Sequence, residues 1–101
     1  MKEIDVQTLK SRLDAGEKFR FVDVREPHEY EEFNIGAELI PLGEIPERLG
    51  EFGGKDEPIV LHCRSGARSG NAQRYLAAQG FTDVTNVRGG VLAWREAGLS
   101  A

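Results

Sequence analysis

Ile59-Val60-Leu61-His62-Cys63-Arg64-Ser65-Gly66-Ala67-Arg68-Ser69 joins an apolar run to the only cysteine of the chain and then to a short polar loop. The run follows a Lys55-Asp56-Glu57-Pro58 turn and reads as a buried strand of a parallel sheet. Cys63 falls where that strand stops. Two arginines, two serines and a glycine follow, and an amphipathic helical pattern opens from Ser69. Strand, tight loop and helix start is a geometry in which backbone N–H groups converge on an anion. The helix dipole, Arg64 and Arg68 are expected to stabilise a thiolate in that cradle, which makes Cys63 a candidate nucleophile. A cysteine that only packed would gain nothing from two nearby cations, or from the strand end at which open α/β sheets place their ligands.

Outward from this stretch, strands and helices alternate. Asp5 is placed to cap a helix carrying Val6, Leu9 and Leu13 on one face, with Gly16 as its stop and Ile4 in a short edge strand before it. Phe19 to Val24 reads as the next strand, and Pro27 opens a helix through about Phe33 with Glu29, Glu31 and Glu32 toward solvent. Ala37 to Ile40 reads as a brief strand, and Pro46 starts a short helix presenting Ile45, Leu49 and Phe52 to the core. Beyond the cysteine loop come a helix with Ala72, Tyr75 and Leu76, a strand Val84–Val87, the break Gly89-Gly90, and a last helix around Trp94 closed by Gly98. This alternation predicts one compact three-layer α/β domain over residues 1–101, a parallel sheet of four or five strands with helices on both faces.

Composition narrows the chemistry. Hydrophobic residues at 40% and charged residues at 30% are ordinary for a soluble globular chain. No apolar run approaches the roughly 20 residues of a membrane span, and Met1-Lys2-Glu3-Ile4-Asp5 does not read as a signal-peptide core. One cysteine makes neither an internal disulfide nor a tetrahedral cysteine metal site, so a reducing compartment, the cytoplasm, is expected. No metal or cofactor is expected. Residues 1–57 carry 15 acidic and 8 basic side chains, whereas residues 58–101 carry 2 acidic and 5 basic ones. That balance has no long basic stripe for nucleic acid but suits a small anion at Arg64 and Arg68.

The remaining candidates surround the loop. Asp23 and Arg25 end a strand expected beside that of Cys63; either they pair with one another, or Asp23 orients Arg68 by a bidentate contact. His62 alternates away from the cysteine and reads as structural. Ser65 and Ser69 are placed to donate into the loop or to cap the following helix, Ser69 being read as the cap. Gly66 permits the unusual backbone angles of a cradle, and Gly89-Gly90 is placed to approach the loop closely. Trp94 reads as core, and His28 as an exposed helix residue.

Val22-Asp23-Val24-Arg25-Glu26-Pro27-His28-Glu29-Tyr30, then Ile35-Gly36-Ala37, then Cys63-Arg64-Ser65-Gly66-Ala67-Arg68-Ser69, then Arg88-Gly89-Gly90 with Trp94 and Gly98, resemble the rhodanese domain family in order and over nearly the whole chain. The chain departs from the family where Phe33-Asn34 replaces Gly-His, at the turn from helix to strand. The resemblance implies a stand-alone sulfurtransferase in which Cys63 accepts a sulfane sulfur as a persulfide, with backbone donors supplied by Arg64 to Ser69. It further implies a small anionic sulfur donor such as thiosulfate, and a thiol, cyanide or protein acceptor. Two alternative readings stand beside it: a non-catalytic interaction module of the same fold, and a cysteine-dependent phosphatase of a related type. Such phosphatases place five residues between cysteine and arginine, whereas four separate Cys63 from Arg68 here, and the loop has no acidic residue to protonate a leaving group.

Overall fold

The computed structural model describes residues 2–100. Its elements are β1 (Lys2–Ile4), α1 (Val6–Asp14), β2 (Arg20–Asp23), α2 (Pro27–Glu32), β3 (Glu38–Leu39), a 3-10 segment (Leu42–Phe52), β4 (Ile59–His62), α3 (Ala67–Ala78), β5 (Val84–Val87) and α4 (Gly90–Glu96). The five strands form one sheet in the order β1-β5-β4-β2-β3, and every neighbouring pair is parallel. No helix among the described residues is long and apolar enough to cross a membrane.

β4 is central because its residues are apolar or neutral on both faces. Ile59, Leu61 and Cys63 pack on one side with Ala72 and Leu76 of α3 and with Ile45 and Phe52 of the 3-10 segment. Val60 packs on the other with Val6 and Leu9 of α1 and Trp94 of α4. The alternation of strand side chains therefore fills two cores and produces the expected three layers. Trp94 is a core residue, 1% exposed.

Local chemistry sets the element ends. The Asp5 carboxylate accepts from the Thr8 amide at 2.8 Å and caps α1, and Pro27 occupies the first turn of α2. At the departure from the family pattern, the Asn34 side chain makes the turn: it accepts from the Gly36 amide at 2.9 Å and donates to the Tyr30 carbonyl at 3.1 Å. Several boundaries differ from the sequence reading; the second strand, expected over Phe19 to Val24, runs Arg20–Asp23. The third strand contracts to Glu38–Leu39. The helix expected from Pro46 begins at Leu42 as 3-10 turns with Pro46 inside it, because i→i+3 bonding leaves fewer amides to satisfy around a proline. α3 begins at Ala67, two residues before Ser69, because Gly66 already supplies the left-handed turn that starts the helix.

Leu61 is fully buried at the centre of the sheet, whereas Leu92 is 44% exposed. Leu61→Ala should cost about 2–5 kcal/mol of stability and Leu92→Ala no more than about 0.5. Urea unfolding of the two variants against the parent tests this order.

Candidate active site

Cys63 follows β4 directly, and its loop is shaped from outside by α4. The amide of Val91 donates to the Cys63 carbonyl at 2.9 Å, and that of Leu92 donates to the Arg64 carbonyl at 3.0 Å. With the Arg64 carbonyl drawn outward, the Ser65 amide of the same peptide unit is turned toward the sulfur. Such proximity requires Gly89-Gly90: a Cβ on Gly90, at φ +52°, would stand 2.3 Å from the Cys63 carbonyl oxygen. Gly66, at φ +104°, then turns the chain into α3, and its carbonyl takes the first helical bond from the Gly70 amide at 3.0 Å.

Three donors converge on the sulfur. The Gly66 amide lies 3.1 Å from Cys63 Sγ, the Ser69 amide 3.4 Å and the Ser69 hydroxyl 3.4 Å. Burial pushes the thiol up, but hydrogen bonds from the Ser69 hydroxyl and the amides of Ser69, Gly66 and Ser65 outweigh it and bring the thiol below its ordinary value. Cys63 itself is only 1% exposed, at the floor of a loop whose rim residues Arg64, Ser65 and Ala67 are exposed.

The cations behave differently from the sequence expectation. Arg68 makes a bidentate pair with Glu29 of α2, at 2.7 and 2.8 Å. Glu29, expected on the solvent side of its helix, therefore ties α2 to the loop. This contact holds its carboxyl well down, from the ordinary 4.5 to about 2. Asp23 does not orient Arg68; of the two contacts open to it, it makes the one to Arg25. Its oxygens accept from Arg25 Nε at 3.0 Å and from Nη2 at 2.8 Å, and Nη2 also donates to the Phe33 carbonyl at 2.7 Å. Both side chains are buried, 0% and 4% exposed, beside the cysteine loop, since Asp23 pairs in register with His62. The influences that lower the thiol against burial are thus neutral donors. Arg64 remains at the rim, next to a cleft of about 210 Å³ that it lines with Arg95, Leu92 and Phe33.

Ser69 corrects another expectation. Gly66 is the N-cap residue of α3, and Ser69 lies one turn inside the helix, where its hydroxyl reaches the sulfur instead of capping. The same hydroxyl contacts Asn86 Oδ1 at 2.6 Å. Asn86 had no local signal: it sits in a short β-rich run, and only the β4–β5 pairing carries it to the loop. His62 points to the opposite face of β4, against the Phe21 ring with centroids 5.3 Å apart. Burial pushes its pKa down and keeps it neutral, away from the sulfur.

A parallel sheet with a cysteine loop between its central strand and the next helix defines a class, and comparison with known proteins agrees. The pattern of the rhodanese-like domain family matches residues 5–97. A sulfurtransferase of Allochromatium vinosum is 43% identical over 100 residues, spanning 98% of this chain and 92% of that one. The crystal structure of a rhodanese-like domain protein from Staphylococcus aureus superposes with a TM-score of 0.84 at 38% identity, covering 93% of this chain and 91% of that one. A crystal structure from Staphylococcus saprophyticus does so with a TM-score of 0.86 at 32% identity, covering 100% of both chains. The chain belongs to the rhodanese-like domain family.

Two outcomes follow from this geometry. Gly90→Ala should lower stability by about 2 kcal/mol or more and slow alkylation of Cys63, because the loop must retreat from the new methyl group. Gly98→Ala, also at positive φ but with nothing within 4 Å, should be milder and leave alkylation unchanged. For Glu29, a depressed carboxyl pKa means that its pair with Arg68 stabilises the fold fully above pH 4.5 and loses that effect as pH falls toward about 2. Glu29→Gln should flatten this part of the acid limb when urea midpoints are compared from pH 5 down to about 2.

Proposed function

We propose that this chain is a sulfurtransferase of the rhodanese type, with Cys63 as the sulfur-carrying nucleophile. The observation carrying this reading is the convergence of the Gly66 amide, the Ser69 amide and the Ser69 hydroxyl on Cys63 Sγ. These donors favour thiolate over thiol and are already in place before a donor arrives. The thiolate attacks the sulfane sulfur of thiosulfate or of a related persulfide or polysulfide. A bond forms from Sγ to that sulfur, the donor's S–S bond breaks, and its electron pair leaves with sulfite or the remaining thiolate. Negative charge then lies on the outer sulfur of the Cys63 persulfide. A thiol, cyanide or sulfur-accepting protein attacks that sulfur and returns the Cys63 thiolate. No cofactor or metal takes part in these steps, and the cytoplasm, where thiols stay reduced, is the proposed setting.

Roles within the loop follow from placement. Residues 64–69 form the loop around the sulfur; Ser65, Gly66 and Ser69 supply amides to it, and Gly66 with Ala67 also sets the path of the loop into α3. Arg68 is engaged by Glu29 and acts as support, as does the buried Asp23–Arg25 pair. Arg64, exposed at the rim, recruits anionic donors.

The same features weigh against phosphate chemistry. Four residues separate Cys63 from Arg68, and the Arg68 guanidinium turns to Glu29 at 2.7 Å instead of facing the cradle. A phosphoryl group brings three oxygens that need donors, whereas sulfur transfer brings a single atom to the floor.

Cys63→Ser should keep the fold and abolish thiosulfate:cyanide turnover, because a hydroxyl is far less ionised than a thiol at neutral pH. Wild type should hydrolyse an aryl phosphate no faster than Cys63→Ser does. Arg64→Ala should raise KM for thiosulfate several-fold more than for an uncharged persulfide donor. Turnover of thiosulfate by Cys63→Ser, or Cys63-dependent hydrolysis of the phosphate, would overturn the assignment.

A further inference from the structure

Ser69 has one hydroxyl proton and two acceptors in reach: Cys63 Sγ at 3.4 Å and Asn86 Oδ1 at 2.6 Å. The Asn86 amide has a fixed orientation. Its Nδ2 donates to the Gly66 carbonyl at 3.1 Å; turned over, it would set Oδ1 against that carbonyl oxygen. An oxygen acceptor therefore faces the Ser69 hydroxyl at short range, inside a site where Ser69 is 0% and Asn86 4% exposed. Water has little access to serve as a substitute partner. If the hydroxyl proton turns to the sulfur, two oxygens 2.6 Å apart lose the proton between them.

Resting on the sulfurtransferase reading, we propose that Asn86 is a positioning residue that competes with Cys63 for the Ser69 hydroxyl proton and holds that proton when Sγ carries no charge. In the thiolate state the Ser69 proton is drawn to Sγ. When sulfur is loaded, the Sγ–S bond forms and charge moves to the outer sulfur. Sγ is then a poor acceptor, and the hydroxyl proton returns to Asn86 Oδ1. The amides of Gly66 and Ser69 are fixed by the backbone and have no such alternative. Asn86 therefore weakens the hold of the loop on the unloaded thiolate and favours the persulfide by the same amount. Its bond to Gly66 ties this proton to the loop itself.

The test is the effect of Ser69→Ala on the Cys63 thiol pKa, read from the pH dependence of alkylation by iodoacetamide, in three backgrounds: wild type, Asn86→Ala and Asn86→Asp. Circular dichroism checks folding of each. The other titratable and charged groups around the sulfur, namely Arg64 and Arg68 of the loop, Glu29 of α2, Asp23 at the end of β2, Arg25 after it, and His62 of β4, are the same throughout. Where Asn86→Ala frees the hydroxyl for the thiolate, Ser69→Ala should raise the thiol by about one unit more than it does in wild type. In the Asn86→Asp background the carboxylate keeps the proton, and Ser69→Ala should move the thiol less than in wild type. The Asp background also lacks the donor to Gly66, so it separates competition for the proton from bracing of the loop. Should Asn86→Ala not fold, the comparison of wild type with Asn86→Asp decides alone. An equal effect of Ser69→Ala in every folded background would overturn the proposal. This cycle needs no sulfur donor, so wild type that never forms a persulfide would refute the transferase reading and leave the role of Asn86 to be judged on the pKa values.

Discussion

The site depends on two hydrogen bonds that point away from it. Val91 and Leu92, at the start of α4, hold the carbonyls of Cys63 and Arg64 outward at 2.9 and 3.0 Å. A peptide unit whose carbonyl is held on one side presents its N–H on the other. The carbonyls of Cys63 and Arg64 share their peptide units with the amides of Arg64 and Ser65. Helix α4 therefore fixes the start of the loop and turns the Ser65 amide toward the sulfur, while the left-handed turn at Gly66 sets the amides of Gly66 and Ser69. Gly90 is the residue through which this constraint acts, since its lack of a Cβ lets α4 come within reach of the loop. The central strand fixes where the sulfur sits, and the last helix braces the start of the loop that surrounds it.

Charge is distributed around this frame so that most of it is consumed structurally. Arg25 is taken up by Asp23 and Arg68 by Glu29. Each pair ties a segment near α2 to the loop or to the strand beneath it, and each leaves its cation with little field to spare for the thiol. Fixed dipoles replace them: amides and one hydroxyl lower the thiol against the opposing effect of burial. Arg64 is left exposed at the rim. Under the proposed function an anionic donor meets it before reaching the sulfur, which separates recruitment from activation.

Patterns carried by neighbouring residues were legible in the sequence. The apolar run Ile59–Leu61 placed the central strand, Asp5 and Pro27 marked helix starts, and Gly89-Gly90 signalled the close approach to the loop. Contacts made across the sheet were not. Glu29 reaches Arg68 across 39 positions, and Ser69 reaches Asn86 across 17, so neither partner has a local signature. Reading Ser69 as a cap failed because Gly66 already starts the helix, which moved Ser69 inside it and turned its hydroxyl toward the sulfur. The strand register that pairs Leu61 with Asn86 was the missing information.

Intact mass spectrometry of the wild-type protein after incubation with thiosulfate tests the central claim most directly, because the chain has one cysteine and any adduct on it is unambiguous. The account predicts a gain of one sulfur atom, reversed by cyanide or an excess of thiol and absent in Cys63→Ser. An unchanged mass with thiosulfate and with a persulfide donor, in protein whose Cys63 is shown to be reduced and alkylatable, would contradict it.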